Sequence, residues 1–212
     1  MLRIKLTLLT LIIGACATVS NSDVILLDSK PINAKNTKIV ENQLNETPID
    51  IWERIRRELT IKIPDDQIAA TSIYRERLYK NQSAVNRISK SGQRYLFHTL
   101  SRAQELDLPV ELALLPFVES EFDPYAKSVD GATGIWQFMP ATGKEWGLKS
   151  NWWYDGKKDV LASTEAALKF LSYLHQKFDE DWLLAMAAYN TGPTRVNRAI
   201  RKNKMQDKGI RF

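Results

Sequence analysis

The sequence predicts an all-α fold. Apolar residues recur at three- and four-residue spacing in one segment after another, the signature of helices with one buried face. No stretch alternates apolar and polar residues over the length of a strand, and no internal repeat is present. Proline-containing breaks at Asp107-Leu108-Pro109, Asp123-Pro124 and Pro193 divide the periodic stretches into helices of short and medium length.

Taken in order, Thr47 reads as an N-cap with Pro48 at the first helical position, and Ile51, Ile55 and Leu59 follow on one face. Pro64-Asp65-Asp66 starts a second helix carrying Ile68, Tyr74, Leu78 and Tyr79. A third covers 83–106, with Ile88, Tyr95, Leu96, Thr99, Leu100 and Ala103 inward. A fourth covers 110–120, where Pro116 removes the hydrogen bond to the Leu112 carbonyl and should kink the helix. A loop with Gly131 and Gly134 leads to a short helix over 135–143. A long helix over 160–178 carries Leu161, Leu168, Leu171, Leu174 and Phe178. Another spans 182–189, and the last begins near Pro193 with Val196 and Ile200 on one face.

The N-terminus reads as a leader. Met1 to Lys5 is basic, Leu6 to Ile13 is mostly apolar, and Ile13-Gly14-Ala15 precede Cys16, the only cysteine. This pattern resembles a bacterial lipobox, in which the cysteine is lipidated and becomes the mature N-terminus. Residues 17–47 are polar and aperiodic and read as a flexible tether, with Val24 to Leu27 as an apolar exception able to dock on the domain. A single cysteine excludes an intrachain disulfide and a multi-cysteine zinc site. The two histidines, His98 and His175, lie in helical patterns and read as packing or surface residues, so no metal or cofactor is expected. The net charge of +5 becomes +3 without Arg3 and Lys5, a mild excess that suits a polyanionic wall or lipid surface. No basic run is interleaved with aromatics, so no nucleic-acid partner is expected.

The chemistry concentrates in three segments. Glu111 to Glu121 is a mainly apolar run that delivers Glu119 at its end. A carboxyl among hydrocarbon loses solvation of its charged form, which should raise its pKa and suit it to general-acid work. Gly131 to Pro140 and Ala187 to Gly192 add aromatic and amide groups, together the outline of a site that cleaves a sugar linkage. Most glycosidases use two carboxylates. Glu121 points away from Glu119 if the helix persists, Pro124 argues against helix reaching Asp123, and Asp130, Glu145, Asp155, Asp159 and Glu165 lie in other segments. One acid suffices if a hydroxyl of the substrate sugar is the nucleophile. Trp136 and Phe138 read as core, whereas Gln137 between them needs polar partners.

Phe117-Val118-Glu119-Ser120, Gly131-Ala132-Thr133-Gly134-Ile135-Trp136-Gln137-Phe138-Met139-Pro140 and Ala188-Tyr189-Asn190-Thr191-Gly192 resemble the motifs of lytic transglycosylases with the soluble-lytic-transglycosylase domain, relatives of goose-type lysozymes. The resemblance runs over roughly 50–205 and implies a lysozyme-like helical domain. It implies cleavage of the β-1,4 bond between N-acetylmuramic acid and N-acetylglucosamine in peptidoglycan, leaving 1,6-anhydromuramyl ends. It assigns acid/base work to Glu119 and orientation to Ser120. Gln137 and Met139 match groove positions that hold the glycan, Gly134 permits close backbone approach, and Tyr189 and Asn190 match a pair near the acid and the acetamido sugar.

The expected organisation is a lipoprotein signal peptide over 1–15, a lipid-anchored linker over 16–47, an N-terminal helical region over 48–108 and a catalytic domain over 109–212. That domain departs from the family in stopping short of a further helix with a site-facing tyrosine and of LysM repeats. The chain is expected to act as a monomer on peptidoglycan strands, held by Cys16 at the outer membrane facing the periplasm. A goose-type muramidase that uses water and a non-catalytic peptidoglycan-binding lipoprotein are the alternatives.

Overall fold

A computed structural model of the chain describes residues 50–64, 68, 72, 76 and 79–205. The leader, Cys16, the tether with Val24 to Leu27, the Thr47-Pro48 helix start, Tyr74 and Leu78 lie outside the described residues. Helix α1 (Ile51–Glu58) is capped by Asp50, whose carboxylate accepts from the Trp52 N–H at 3.4 Å. Ile55 enters the core and Ile51 and Leu59 pack on it, as their spacing requires. The Ile68 N–H donates to the Pro64 carbonyl at 3.1 Å, consistent with a helix start there, but Ile68 and Tyr79 are exposed.

The single helix expected over 83–106 is two, α2 (Gln82–Gly92) and α3 (Leu96–Glu105). Residues 93–95 form a turn between them, with the Tyr95 N–H donating to the Gly92 carbonyl, and a Cβ on Gly92 would stand 2.6 Å from the tip of the Phe117 ring, so only glycine lets the end of α2 lie against that ring. Ile88, Leu96, Thr99, Leu100 and Ala103 are buried on the expected face.

The acid-bearing segment also differs from expectation. Val110–Leu114 is a 3-10 turn, every residue of it buried, and only Leu115–Ser120 is α-helical (α4). Pro116 lies in the first turn of α4, where a missing N–H costs nothing, so the proline starts a helix instead of kinking one. The Leu112 carbonyl accepts from the Leu115 N–H. Helix α4 stops at Ser120, ahead of the Asp123-Pro124 break, because Glu121 and Phe122 adopt left-handed backbone angles (φ 54° and 60°). That reversal is unusual for residues with a Cβ. It drives Phe122 back into the core, edge-on to Phe117 at 4.6 Å.

Residues 135–138 are a tight turn, not the start of a helix. Thr133 pairs with Lys127 and Phe138, Gly134 (φ +82°) and Gln137 (φ +49°) are left-handed, and helix α5 runs only over Pro140–Glu145. Beyond it lie α6 (Val160–Lys177), α7 (Trp182–Thr191) and α8 (Pro193–Met205). Asp159 caps α6 by accepting from Ala162 N–H, and Asp181 caps α7 by accepting from Leu184 N–H, each at 3.0 Å. Leu168, Leu171 and Leu174 are buried as expected, but Leu161 is exposed, because the inward stripe of α6 starts two residues later at Ser163. Alanines at 166, 167, 185, 187 and 188 are all buried where α6 and α7 pack. The architecture is all-α and lysozyme-like, with no strand among the described residues.

Two polar braces join the elements. Glu111 is only 2% exposed, and its Oε1 accepts from the Thr60 and Ile61 N–H groups at 2.6 and 2.7 Å, tying the chain after α1 to the 3-10 turn. Arg102 on α3 donates to Glu165 on α6 at 2.6 Å, and Lys169 pairs with the same carboxylate at 3.0 Å. The Arg102 bond, outweighing burial, lowers Glu165 from 4.5 to about 2. A carboxylate depressed in the folded state contributes stability that is complete above about pH 4.5 and vanishes as pH falls toward 2. Glu165→Gln should therefore lower the unfolding free energy at pH 7, by no more than about 1 kcal/mol for a pair still partly in solvent, and its stability should meet wild type near pH 2. A gap that stayed constant across that range would show that the carboxylate's charge adds nothing.

Candidate active site

Three elements converge on Glu119. Helix α4 ends with Glu119 and Ser120, the turn at 133–138 lies against that end, and the last turn of α7 brings Tyr189 and Asn190. Glu119 is half-buried, and the Asn190 Nδ2 donates to its Oε1 at 3.3 Å across 71 residues of sequence. The Ser120 hydroxyl donates to the Ile135 carbonyl at 2.9 Å, which pins the acid-bearing helix end to the turn. The Tyr189 hydroxyl donates to the next carbonyl, that of Trp136, at 2.8 Å. Burial pushes the Tyr189 phenol well above its ordinary range, and the Glu119 charge adds to the shift. The phenol therefore stays protonated, and remains a donor, at any physiological pH.

The turn is itself held from below. Trp136 is fully buried and its Nε1 donates to the Thr164 hydroxyl on α6 at 2.9 Å, while Phe138 is buried against Tyr189. Both are core residues, as read from the sequence. The Gln137 Nε2 finds the partners an amide there requires, donating to the Gly134 and Ala126 carbonyls at 2.9 and 3.3 Å. Gln137 thus closes the turn across its mouth. Met139 is exposed at the start of α5.

Gly134 does permit a close backbone approach, and the approaching group belongs to the protein. A Cβ at Gly134 would stand 1.8 Å from the carbonyl oxygen of Lys157. That contact packs the turn against the 150–158 segment. Lys157 is buried, its Nζ donating to Asp155 at 2.6 Å and Ser150 at 3.1 Å.

Five of the seven carboxylates left open by the sequence have structural uses. Glu121, turned outward by its left-handed backbone, pairs with Arg87 at 3.0 Å. Asp123 accepts from the Tyr125 N–H, Asp155 holds Lys157, Asp159 caps α6, and Glu165 holds Arg102. Asp130 and Glu145 are exposed. Both histidines lie apart from the acid's partners, and His175 stacks on Trp182 with ring centroids 3.8 Å apart, the packing role read for it. Sequence reading missed the two acceptors that position the site, the carbonyls of Ile135 and Trp136. Backbone groups carry no residue-type signal, so only the fold could reveal them. It also passed over Glu111, whose signal was available: an acid at the head of an apolar run must find buried donors.

Residues 97–212 match the transglycosylase SLT domain. The chain belongs to this family. It is 40% identical over 163 residues to the membrane-bound lytic murein transglycosylase D of Escherichia coli, covering 77% of this chain and 36% of that protein. It is 46% identical over 118 residues to a putative tributyltin chloride resistance protein of an Alteromonas species, covering 55% of this chain and 57% of that one. The soluble lytic murein transglycosylase of Salmonella typhimurium is 31% identical over 108 residues, 48% of this chain and 16% of that protein. The chain spans about a third of the length of the Escherichia coli relative.

In this SLT domain the turn at 133–138 leaves no room for a side chain at Gly134. Gly134→Ala would bring a Cβ into the Lys157 carbonyl at a left-handed position, so unfolding free energy should fall by more than about 2 kcal/mol. Gly131, equally left-handed but with nothing within 4 Å of its Cβ position, should tolerate alanine better. Equal losses in a denaturant titration would mean that the Lys157 approach carries no energy.

Proposed function

We propose that the chain is a peptidoglycan lytic transglycosylase in which Glu119 serves as the single acid and base. The observation that carries this reading is the convergence on Glu119. A half-buried carboxyl stands at the end of a buried segment, bonded by Asn190 and flanked by a protonated Tyr189, with Ser120 fastening the helix end that bears it. The activity named for the Escherichia coli and Salmonella relatives supports the same substrate.

In this mechanism Glu119 protonates the glycosidic oxygen between N-acetylmuramic acid and N-acetylglucosamine. The C1–O bond breaks as an oxocarbenium-like muramyl centre forms. The C6 hydroxyl of the same sugar attacks C1, and the Glu119 carboxylate takes the hydroxyl proton. One C–O bond breaks, one forms, the proton returns to Glu119, and no water is consumed. The Asn190 amide orients the carboxyl, and the Tyr189 hydroxyl, fixed on the Trp136 carbonyl, shapes the wall beside it. Gln137 and Met139 border the glycan, with Gly134 setting the turn that carries them. The assignment of Glu119 over Glu111 follows from their surroundings: Glu111 is buried beneath the chain after α1, with one oxygen taken by two N–H donors.

Mass spectrometry of muropeptides released from purified peptidoglycan tests the chemistry. Anhydromuramyl products are expected, and Glu119→Gln should lower their release by roughly 10²–10⁴-fold or more while wall binding persists. Reducing-end products would instead mean a water-using muramidase, and no products with intact binding would mean a non-catalytic wall-binding lipoprotein.

Envelope attachment is proposed through a lipid on Cys16 rather than a spanning helix. The Escherichia coli relative is named membrane-bound, and no helix among the described residues is long and apolar enough to cross a membrane. In cell fractionation, Cys16→Ser should move the protein from the membrane to the soluble fraction. Retention of that variant in the membrane would remove the lipid anchor from this reading.

A further inference from the structure

Two tryptophans on one loop stand almost fully in solvent. Trp152 is 84% exposed and Trp153 89%, with ring centroids 5.6 Å apart and planes at 85°. A tryptophan has up to roughly 250 Å² of mainly apolar surface to bury, so two adjacent exposed indoles form a patch that a surface without a partner does not keep.

The backbone beneath the rings is fixed. The Asn151 Oδ1 accepts from the Trp153 and Tyr154 N–H groups at 2.9 and 2.8 Å, and the Asn151 N–H donates to the Tyr154 carbonyl at 2.7 Å. Below, Ser150, Asp155 and Lys157 bond one another, and the Tyr154 hydroxyl donates to Asp159 at 2.9 Å. A loop so braced loses little further freedom when a ligand settles on it. It is also coupled to the candidate active site, because Lys157, at its base, is the residue whose carbonyl packs on Gly134.

We infer that Trp152 and Trp153 form a stacking platform for a peptidoglycan glycan strand, apart from the residues that contact Glu119. The inference rests on the glycan substrate proposed above, though not on the chemistry of its cleavage. A pyranose ring presents a face of C–H groups that lies against an indole while its hydroxyl and amide groups stay hydrated. Two rings at right angles accept successive sugars of a twisting polymer. The surrounding charge favours this occupant over an anionic lipid surface. Lys157 is buried and paired with Asp155, which leaves Lys149 and Lys158 as the exposed lysines of the segment, too few for the basic cluster that lipid headgroups attract.

The test uses the full chain carrying Glu119→Gln, to prevent turnover, in co-sedimentation with purified insoluble peptidoglycan. Adding Trp152→Ala and Trp153→Ala should weaken apparent binding by about tenfold or more, with an unchanged circular dichroism spectrum. Phenylalanine at both positions should restore most of the affinity. Titration with a β-1,4-linked N-acetylglucosamine oligomer should shift the tryptophan fluorescence of the parent and shift that of the double alanine variant less. Flotation with phosphatidylethanolamine–phosphatidylglycerol vesicles should be the same for both. Undiminished sedimentation of the alanine variant would overturn the platform. Loss of vesicle binding with sedimentation intact would overturn it in favour of a membrane contact. Tryptophan-dependent sedimentation of a chain that, with Glu119 intact, releases no anhydromuramyl product would sink the transglycosylase reading alone.

Discussion

The site depends on one turn. Residues 133–138 present two consecutive carbonyls, Ile135 and Trp136, to two different helices. The first receives the Ser120 hydroxyl from α4 and the second the Tyr189 hydroxyl from α7. Each bond is worth only about 1 kcal/mol, yet both fall beside Glu119 and Asn190, so the distance between acid and amide follows from the turn's shape. That shape has its own supports. Trp136 is sunk in the core and tethered to Thr164, Gly134 lies flush against the Lys157 carbonyl, and Gln137 bonds across the opening. The candidate site is thus mounted on backbone atoms locked by packing, which move less than side chains on a surface loop.

The two glutamates of the apolar run show how environment separates roles for one residue type. Glu111 and Glu119 are eight residues apart on the same segment. Glu111 is enclosed and accepts two backbone donors, so it braces the chain after α1. Glu119 is half-exposed, with the Asn190 amide on its Oε1, and is reachable from solvent. The left-handed pair Glu121 and Phe122 sharpens the contrast. It ends α4 just past the acid, turns Glu121 outward to Arg87, and buries Phe122 against Phe117. A helix continuing to Asp123 would have carried that acid onto the face of Glu119.

Much of the helical frame was legible along the chain. The long apolar stripe of α6, the inward faces of α2 and α3, and the starts of α7 and α8 follow from spacing and capping residues, which act locally. The misreadings share a cause. From the sequence α2 and α3 read as one helix, Pro116 as a kink and 135–138 as the start of a helix, whereas the structure sets long-range packing at each place. Gly92 lies against the Phe117 ring, Gly134 against the Lys157 carbonyl, and all five residues of the 3-10 turn ahead of Pro116 are buried. Leu161 illustrates a smaller error of extent, an apolar residue of the right period that lies two residues ahead of the buried stripe.

The sequence by itself determined the fold class, the family and the residue types gathered at the candidate site. Helical period, caps and the three motifs are local patterns that survive without coordinates. Only the tertiary structure decided that Asn190 meets Glu119, that Ser120 and Tyr189 bond neighbouring carbonyls, and that Glu111 is a brace. It alone showed that Trp152 and Trp153 stand almost wholly exposed. The reason is physical: a side chain's chemistry is set by which groups surround it. For these residues the surroundings come from segments many positions away, through backbone acceptors and packing surfaces that no residue letter encodes.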